Sequence, residues 1–311
     1  MPDLSRRQLL SLGLPVAAMS VLTTAEAVEP SAGSRVSYCL NTSTVRGAKL
    51  SLPELIRVAQ TVGYDGIEPW IREIQAFQDG GGKLSDLKMQ IADAGLTVES
   101  AIGFAEWIVD DETRRKAGLE AARREMALVR AIGGTRIAAP PAGATGERIS
   151  DLDRIAERYA ALCRVGESIG VVPELEVWGF SKTLSRLCET LYVLAACGEP
   201  SACLLPDVYH LYKGGSPFEG LRALAGSAMP VFHMNDYPAD PPREEIRDGA
   251  RVYPGEGVAP LDQILQTILA NGFTGALSLE LFNETYWRED PQDVANKGLV
   301  SMKRAVERIR D

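Results

Sequence analysis

The sequence predicts a single α/β domain in which eight strand–helix units close into a (β/α)8 barrel, and three observations lead to this prediction. Short apolar, β-rich runs alternate with longer amphipathic segments, which is the pattern of repeated strand–helix units. Several of the runs follow a glycine that would end the preceding helix. Eight units in about 280 residues also match the size of such a barrel, typically ~250 residues.

The predicted strands are residues 35–41, 64–70, 96–103, 135–140, 171–178, 202–209, 230–235 and 276–282. The helical segments between them include residues 51–62, 85–94, 111–132, 151–169 and 260–271. The first helix has the clearest start, because Ser51 is a capping residue followed by Pro53 and Glu54. A doubly wound open sheet is the competing fold, but no Gly-x-Gly-x-x-Gly motif follows the first strand.

The N-terminus has the features of a twin-arginine export signal. Arg6 and Arg7 precede an apolar stretch at residues 9–22, and residues 25–27 read Ala-Glu-Ala, as at a cleavage site. A membrane anchor is the alternative, but the stretch is shorter than the roughly 18 residues that span a bilayer. We therefore expect a periplasmic protein without a stable membrane span after cleavage. Its parts would be a signal peptide (1–27), a short tether (28–34) and the barrel (35–311).

The composition limits the kinds of molecule that the protein is expected to bind. The formal net charge of −9 argues against nucleic acid, which is itself polyanionic. The five cysteines are odd in number and lack paired metal-type spacing, so we expect buried thiols rather than a disulfide framework. A small molecule is the expected partner, and the sequence leaves the oligomeric state open, a homo-oligomer included.

Four side chains of metal-binding type stand near the ends of the last four predicted strands. Burying a carboxylate or an imidazole there costs free energy unless the group is paired or coordinated. In a barrel the carboxyl ends of the strands meet on one face, so the four are expected to converge. Their oxygen and nitrogen donors suit one divalent ion, Mn2+, Mg2+, Co2+ or Zn2+. They are Glu176, Asp207, His233 and Glu280, and His233 is one of two histidines in the chain.

The sequence around these residues resembles the sugar phosphate isomerase/epimerase superfamily, the group of TIM barrels related to xylose isomerase. The resemblance rests on LEVW at Glu176, DVYH at Asp207, FHMND at His233 and LSLELF at Glu280, with GYDGIE and YPGEG elsewhere. It covers nearly all of the chain after the signal. It implies that these four residues bind the metal, and that Glu176 and Glu280 are also the catalytic acid and base.

The resemblance implies a divalent-metal-dependent isomerase or epimerase that acts on a non-phosphorylated sugar or keto-sugar. One glutamate would remove a proton beside a carbonyl, and the other would return one, through a metal-bound enediolate. Loss of a β-substituent would instead make the protein a dehydratase or lyase, as in inosose dehydratase or keto-glycoside elimination. A non-catalytic exported carbohydrate-binding protein is a third reading. The chain has Trp178-Gly179-Phe180 where ketose epimerases carry Asn-Arg, so no hexulose substrate is transferred.

Five further residues are predicted to contact the substrate. His210 would bind a hydroxyl, with packing at the rim as the alternative, and an arginine before the YPGEG turn would clamp hydroxyls or a carboxylate. For the acidic residues, a salt bridge or a turn contact is the alternative. Aromatic faces for a sugar ring are expected from residues 103–111 and from the tail around Trp287. The five are Glu68, Trp107, His210, Arg251 and Glu256.

Overall fold

Eight parallel strands form the centre of the computed structural model, which describes residues 36–310 of the chain. Each strand lies within one of the eight predicted runs, although most are shorter than predicted. They are β1 (Ser37–Asn41), β2 (Gly66–Glu68), β3 (Thr97–Val98), β4 (Arg136–Ala139), β5 (Val172–Glu176), β6 (Cys203–Leu205), β7 (Val231–Met234) and β8 (Ala276–Leu279).

The strands follow one another around a closed barrel in chain order. Regular pairing joins β3, β2, β1, β8 and β7 in one run and β4, β5 and β6 in another. Single hydrogen bonds connect the two runs: Ala138 N donates to Ala101 O at 2.8 Å, and His233 N donates to Pro206 O at 2.9 Å. The pairing of β1 with β8 closes the circle. The predicted single-domain (β/α)8 barrel is therefore confirmed.

Helices surround the barrel, and the predicted ones agree with the structure to within about two residues, the usual uncertainty of helix ends. A second helix lies between β2 and β3, where the sequence analysis specified only one. The helices are α1 (Leu52–Val62), α2 (Ile71–Asp79), α3 (Leu84–Asp93), α4 (Glu112–Ala131), α5 (Leu152–Glu167), α6 (Leu187–Ala196), α7 (Val208–Lys213), α8 (Leu261–Ala270) and α9 (Pro291–Arg308).

Local sequence signals account for the ends of α1. The backbone N–H of Ser51 donates to Glu54 Oε2 at 2.8 Å, which forms half of a capping box, and a proline stands in the first turn. Gly63 ends the helix with a φ of 89°, a left-handed conformation that glycine adopts without the steric cost of a Cβ. These signals fix the point at which the chain enters β2.

One predicted strand end is wrong, and the reason bears on the site. Residues 207–209 were expected to continue the sixth strand, but β6 ends at Leu205 and α7 begins at Val208. The side chain of Asp207 accepts a hydrogen bond from His210 N at 2.8 Å and caps this helix. Asp207 therefore stands at a strand–helix junction with one carboxylate oxygen left for another partner.

Two loops on the carboxyl-terminal side of the barrel pack closely together. A 3-10 segment at Thr42–Ala48 follows β1 and lies against the loop after β8. A Cβ on Gly47 would come within 2.2 Å of Trp287 Cβ, so this approach requires glycine. Trp287 Nε1 donates to Ser43 O at 2.9 Å and fixes the contact. The first and last strand–helix connections thus form one continuous wall.

The predicted signal peptide (1–27) and tether (28–34) lie outside the described residues. Within residues 36–310, no helix is both long enough and apolar enough to cross a membrane. The cysteines all carry free thiols, as expected, and three of them are buried: Cys39, Cys163 and Cys203.

Candidate active site

The four predicted metal ligands all lie at the carboxyl ends of barrel strands. Glu176 is the last residue of β5, and His233 lies within β7. Asp207 lies two residues after β6 and forms an isolated parallel β-bridge with His233. Glu280 directly follows β8. Because parallel strands present their carboxyl ends on the same face, side chains separated by up to about a hundred residues in sequence converge there.

Three of the four form a compact group that could hold a metal ion. One ligand atom from each of Asp207, His233 and Glu280 lies within 4.8 Å of the others, and all three residues are buried. His233 Nδ1 is 3.3 Å from Glu280 Oε2 and 3.6 Å from Asp207 Oδ2, yet it makes no hydrogen bond. A buried ring nitrogen that faces two carboxylates without a hydrogen bond is well suited to a cation.

The negative charge of the carboxylates around His233 favours the binding of a cation. Burial would lower the pKa of His233, but the negative charges of Glu280 and Glu68 outweigh burial and raise it. A proton and a divalent ion compete for the same Nδ1 lone pair, because a metal-binding histidine must give up its proton there. The residues present therefore fit a divalent cation.

Glu68 lies behind His233 and not in the pocket, contrary to its predicted contact with substrate. It is fully buried, and its Oε2 lies 3.1 Å from His233 Nε2. The same oxygen accepts hydrogen bonds from Asn41 Nδ2 at 2.9 Å and Ser278 Oγ at 2.7 Å. A carboxylate on Nε2 orients the imidazole and directs Nδ1 toward Asp207 and Glu280. Glu68 is a positioning residue for the histidine.

Arg251 lies at the centre of the group, fully buried. Its Nη1 donates to Asp207 Oδ2 at 2.9 Å and to Glu280 Oε2 at 2.8 Å. Its Nη2 donates to Asp248 Oδ1 at 2.6 Å and lies 3.1 Å from His210 Nε2. The guanidinium therefore links two candidate metal ligands to the predicted substrate residue His210.

Because arginine can only donate, the contact with Arg251 makes His210 Nε2 an acceptor and places the proton of a neutral ring on Nδ1. Burial lowers the pKa of His210, which favours this neutral ring. Its Nδ1 is buried and has no hydrogen-bond partner. His210 also lines the cavity over the site. A neutral His210 ring thus keeps an Nδ1–H donor that no protein group uses, and its contact with a substrate hydroxyl stays a prediction.

The two glutamates differ in electrostatic environment. Burial raises the pKa of Glu176 well above its usual range, and the charge of His233 opposes this only in part. Burial also acts on Glu280, but the charges of His233 and Arg251 outweigh it and lower the pKa of this carboxyl. A pair of carboxyl groups whose pKa values are displaced in opposite directions is typical of acid–base sites.

A cavity of about 350 Å3 opens over these residues. Its polar surface comes from Glu176, His210, Asp248, Arg251, Glu280 and Glu284. Aromatic rings form most of the remaining wall, and each can pack against the apolar face of a small ring. They are Trp70, Phe104, Trp178, Phe180, Phe282 and Trp287.

Trp107 and Glu256, which were also predicted to contact the substrate, do not line this cavity. Trp107 is 1% exposed, and its Nε1 donates to Pro140 O at 2.8 Å, so it belongs to the core. Phe104, three residues earlier, is the residue of that stretch whose ring faces the cavity. Glu256 is exposed in a turn, where its Oε2 accepts a hydrogen bond from Tyr286 at 3.4 Å. The predictions that Trp107 and Glu256 bind substrate are therefore not supported by their positions.

Sequence reasoning missed several residues of the site, and a repeated pattern could have found three of them. Side chains two residues apart on a strand point to the same side. Trp70, Trp178 and Phe282 each stand two residues after a strand-end glutamate, namely Glu68, Glu176 and Glu280. All three aromatic residues line the cavity.

Two asparagines at strand ends were also missed. Asn41 Nδ2 donates to Glu280 Oε1 at 3.2 Å as well as to Glu68, and its Oδ1 accepts from Trp70 Nε1 at 3.0 Å. Asn235 Nδ2 donates to Asp207 Oδ2 at 3.0 Å. Each amide holds a carboxylate of the site in place. Like the charged ligands, both stand at strand ends, since Asn41 is the last residue of β1 and Asn235 directly follows β7, and this position is the signal that could have identified them.

Comparison with curated proteins identifies relatives with several activities. An inosose isomerase from Halalkalibacterium halodurans is 30% identical over 128 residues, 41% of this chain and 45% of that protein. A fructoselysine 3-epimerase from Escherichia coli O157:H7 is 26% identical over 265 residues, 81% of this chain and 92% of that protein. A 3-dehydroshikimate dehydratase from Pseudomonas aeruginosa is 26% identical over 272 residues, 84% of this chain and 41% of that protein. The match thus spans less than half the length of the inosose isomerase.

Solved structures show the same fold. The structure of the IOLI protein with a bound zinc atom superposes with a TM-score of 0.80 at 21% sequence identity, covering 88% of this chain and 99% of that chain. A family model described as xylose isomerase-like TIM barrel matches residues 56–305, which include seven of the eight strands and all four predicted ligands. The chain therefore belongs to the xylose isomerase-like TIM barrel family.

Proposed function

We propose that the protein is a divalent-metal-dependent isomerase or epimerase of a non-phosphorylated sugar or keto-sugar. One observation carries the proposal: two buried glutamates, Glu176 and Glu280, line one cavity beside the group formed by Asp207, His233 and Glu280. Glu176 ends β5 and Glu280 follows β8, which is three strands further around the barrel, so the two glutamates would approach a bound molecule from different sides. An epimerase or isomerase needs such a pair, since one group removes a proton and the other returns one.

The metal would be held by Asp207, His233 and Glu280, whose ligand atoms lie within 4.8 Å of one another. Glu176 lies outside this group but lines the same cavity, and it would be the fourth ligand. This mixed donor set suits Mn2+, Mg2+, Co2+ or Zn2+. When bound, the ion would supply Lewis-acid stabilisation of negative charge that develops on a substrate oxygen. Arg251 now shares Asp207 and Glu280, so its guanidinium has to yield one of these contacts when a cation binds.

The surrounding side chains bind and orient the substrate in this proposal. His210 donates its Nδ1 proton to a hydroxyl, and the aromatic walls pack against the apolar face of the ring. Glu280, kept ionised by the charges of His233 and Arg251, would accept the proton, and Glu176 would return one. Asn41 holds Glu280 Oε1 so that the carboxylate has one orientation.

Charge around the cavity supports a substrate without phosphate. Among the described residues that line it, Arg251 is the one cation, and its Nη1 and Nη2 already contact four side chains of the protein. Four acidic residues line the same space, Glu176, Asp248, Glu280 and Glu284. A phosphate dianion would meet repulsion from the ionised carboxylates here. A neutral, hydroxyl-rich molecule avoids this cost.

A dehydratase or lyase is the second candidate, since the proton-abstracting step would be the same. A 3-dehydroshikimate dehydratase is among the relatives that match most of this chain, which favours this alternative. In that reaction Glu280 would remove the proton, and the protonated Glu176 would assist departure of a β-substituent. The two outcomes differ in what leaves the substrate, not in the residues required.

The deciding experiment is incubation of metal-loaded protein with a panel of keto-sugars in D2O, followed by NMR. Deuterium at a retained carbon, without loss of water or of a substituent, supports the isomerase or epimerase. An unsaturated product would show the lyase instead. Absence of both deuterium and new product across the panel, with metal bound, would contradict enzymatic activity on this class.

We also propose that residues 1–27 direct the protein to the periplasm by the twin-arginine route. The support is the pair Arg6-Arg7 before an apolar stretch. Replacing both arginines by lysine in the full chain should leave the protein in the cytoplasm, as measured by cell fractionation. The unaltered chain is the control, and equal periplasmic amounts of the two would refute the route.

A further inference from the structure

A second cavity, of about 580 Å3, lies beside the first and shares two of its residues, Phe180 and Asp248. Its remaining wall consists of Tyr209, Lys213 and residues 244–247. Because Phe180 and Asp248 line both spaces, the two cavities adjoin at these residues, and we call them the two compartments of a cleft. The first compartment contains Glu176 and Glu280, and the second is lined by helix α7 and by the loops that follow β5 and β7.

A row of aromatic rings leads from the first compartment to the boundary. The ring centroids of Trp70 and Phe104 are 5.1 Å apart, those of Phe104 and Trp178 5.9 Å, and those of Trp178 and Phe180 5.1 Å. Phe104 is 42% exposed and Phe180 46%, which is unusual for phenylalanine. Each step is comparable to the width of one sugar ring, so the row extends beyond a single ring.

The second compartment has more balanced charge than the first, with two cationic and three anionic side chains against one and four. Lys213 and Arg247 are cationic, and Glu244, Glu245 and Asp248 are anionic. The ammonium of Lys213 donates to the carbonyls of Arg243 and Glu244, both at 2.9 Å, and so fastens the loop to α7. Mixed charges offer both donors and acceptors and give neither an anion nor an apolar group an advantage. A neutral group with several hydroxyls fits this lining.

We propose that the cleft binds a two-unit carbohydrate, with one sugar ring over Glu176 and Glu280 and a second glycosyl unit in the compartment lined by residues 244–247. Phe180 lies at the junction and packs against the linkage between the units. This inference rests on the proposed function, because it names the substrate class of the same site. A single keto-sugar occupies the first compartment alone and leaves the second to water.

The test compares a keto-monosaccharide with the same keto-sugar linked to a glucose unit, using metal-loaded protein. The linked substrate should have a kcat/KM about tenfold higher, mostly through KM, since the added contacts are made equally before and during the reaction. A charge-neutral double variant, Glu245→Ala with Arg247→Ala, should reduce this preference to near unity. Arg57→Ala, an exposed arginine on α1, is the matched control and should keep the wild-type preference.

A binding measurement separates this inference from the proposed function. Calorimetry with unoxidised glucose and a glucose disaccharide reports on the second compartment even if neither keto-sugar is turned over. Tighter binding of the disaccharide to wild type, lost in the double variant, supports the inference. Equal binding of the two sugars would overturn it, and so would preference for an aryl glycoside over the disaccharide. Either result leaves activity on single keto-sugars unaffected.

Discussion

Strands β5–β8 and strands β1–β4 contribute different kinds of side chain to the candidate site. The later half supplies every proposed metal ligand: Glu176, Asp207, His233 and Glu280. The earlier half supplies groups that hold these ligands, such as Asn41 and Glu68, and part of the aromatic wall. The comparison teaches that the candidate ligands come from one half of the barrel, while groups that hold them in place come from both halves, with Asn235 and Arg251 in the later one.

The buried carboxylates of the two halves also have different partners. In the later half, Asp207 and Glu280 share Arg251 and face His233. In the earlier half, Glu68 is satisfied by an amide, a hydroxyl and the far nitrogen of the same histidine. Substitutions in the two halves should therefore affect different measurements: catalytic rate in the later half, metal affinity or substrate affinity in the earlier half.

The largest effect is expected from Glu280→Gln in the later half. The amide cannot accept a proton, so kcat should fall by about a thousandfold, within the range expected for loss of a general base. Deuterium incorporation from D2O measures this step directly, and the metal content of the variant should be measured alongside. Glu284→Gln, an exposed carboxylate at the rim of the same cavity, is the control and should stay within a few-fold of wild type. Equal rates for Glu280→Gln and wild type would remove Glu280 from the chemistry.

Glu68→Gln in the earlier half should weaken metal binding by about 10- to 100-fold, since the carboxylate that orients His233 is lost. Titration of the metal-free protein with Mn2+ or Zn2+ gives the affinity. At saturating metal, most of the rate should return, which distinguishes this variant from Glu280→Gln. Glu99→Gln is the control, because the side chain of Glu99 bonds to Thr97 and Arg136 instead. Unchanged metal affinity in Glu68→Gln would show that His233 needs no such support.

The sequence predicted the later half better than the earlier half, for a physical reason. A carboxylate or imidazole after an apolar run is costly to bury, so Glu176, Asp207, His233 and Glu280 are conspicuous. The same pattern at Glu68 could not reveal that its carboxylate faces His233 rather than the cavity, since that depends on barrel closure. Asn41 is an amide whose burial is less costly and was overlooked. The length of the sixth strand was misjudged because the cap at Asp207 ends it.

A smaller effect is expected from Arg46, which lies behind the aromatic wall in the earlier half. Its guanidinium carbon is 4.0 Å from the Trp70 ring centroid and 5.3 Å from that of Phe282. Its Nε and Nη2 are buried without hydrogen-bond partners, so stacking is its main interaction. Arg46→Met should raise KM by about two- to fivefold and leave kcat nearly unchanged, in line with the strength of cation–π contacts.

Arg72→Met is the matched control for Arg46, since Arg72 also stacks on Trp70, at 4.4 Å, but is exposed. Its effect on KM should be smaller, because water competes with the contact. Steady-state kinetics with the keto-sugar identified by NMR measure both variants. A fall in kcat at constant KM for Arg46→Met would contradict a role in holding the wall and point to the proton-transfer step.

The smallest effect is expected at Glu125 on α4, a carboxyl in the earlier half without a role in the site. Burial raises its pKa to about 7, and the charge of Arg124 opposes this only in part. Folding therefore disfavours the ionised form. The destabilisation is absent below the unfolded pKa and grows as the pH rises, until it is complete above the folded pKa.

Glu125→Gln should accordingly raise the Tm by a few degrees at about pH 8 and have little effect near pH 5. Thermal unfolding at the two pH values measures this difference, with Glu120→Gln, an exposed residue of the same helix, as the control. An equal gain at both pH values would assign the effect to packing rather than to charge. Because catalysis should be unaffected, a gain confined to high pH would show that a half-buried carboxylate outside the site reduces stability without serving the reaction, whereas Asp207 and Glu280 of the later half are paired with Arg251.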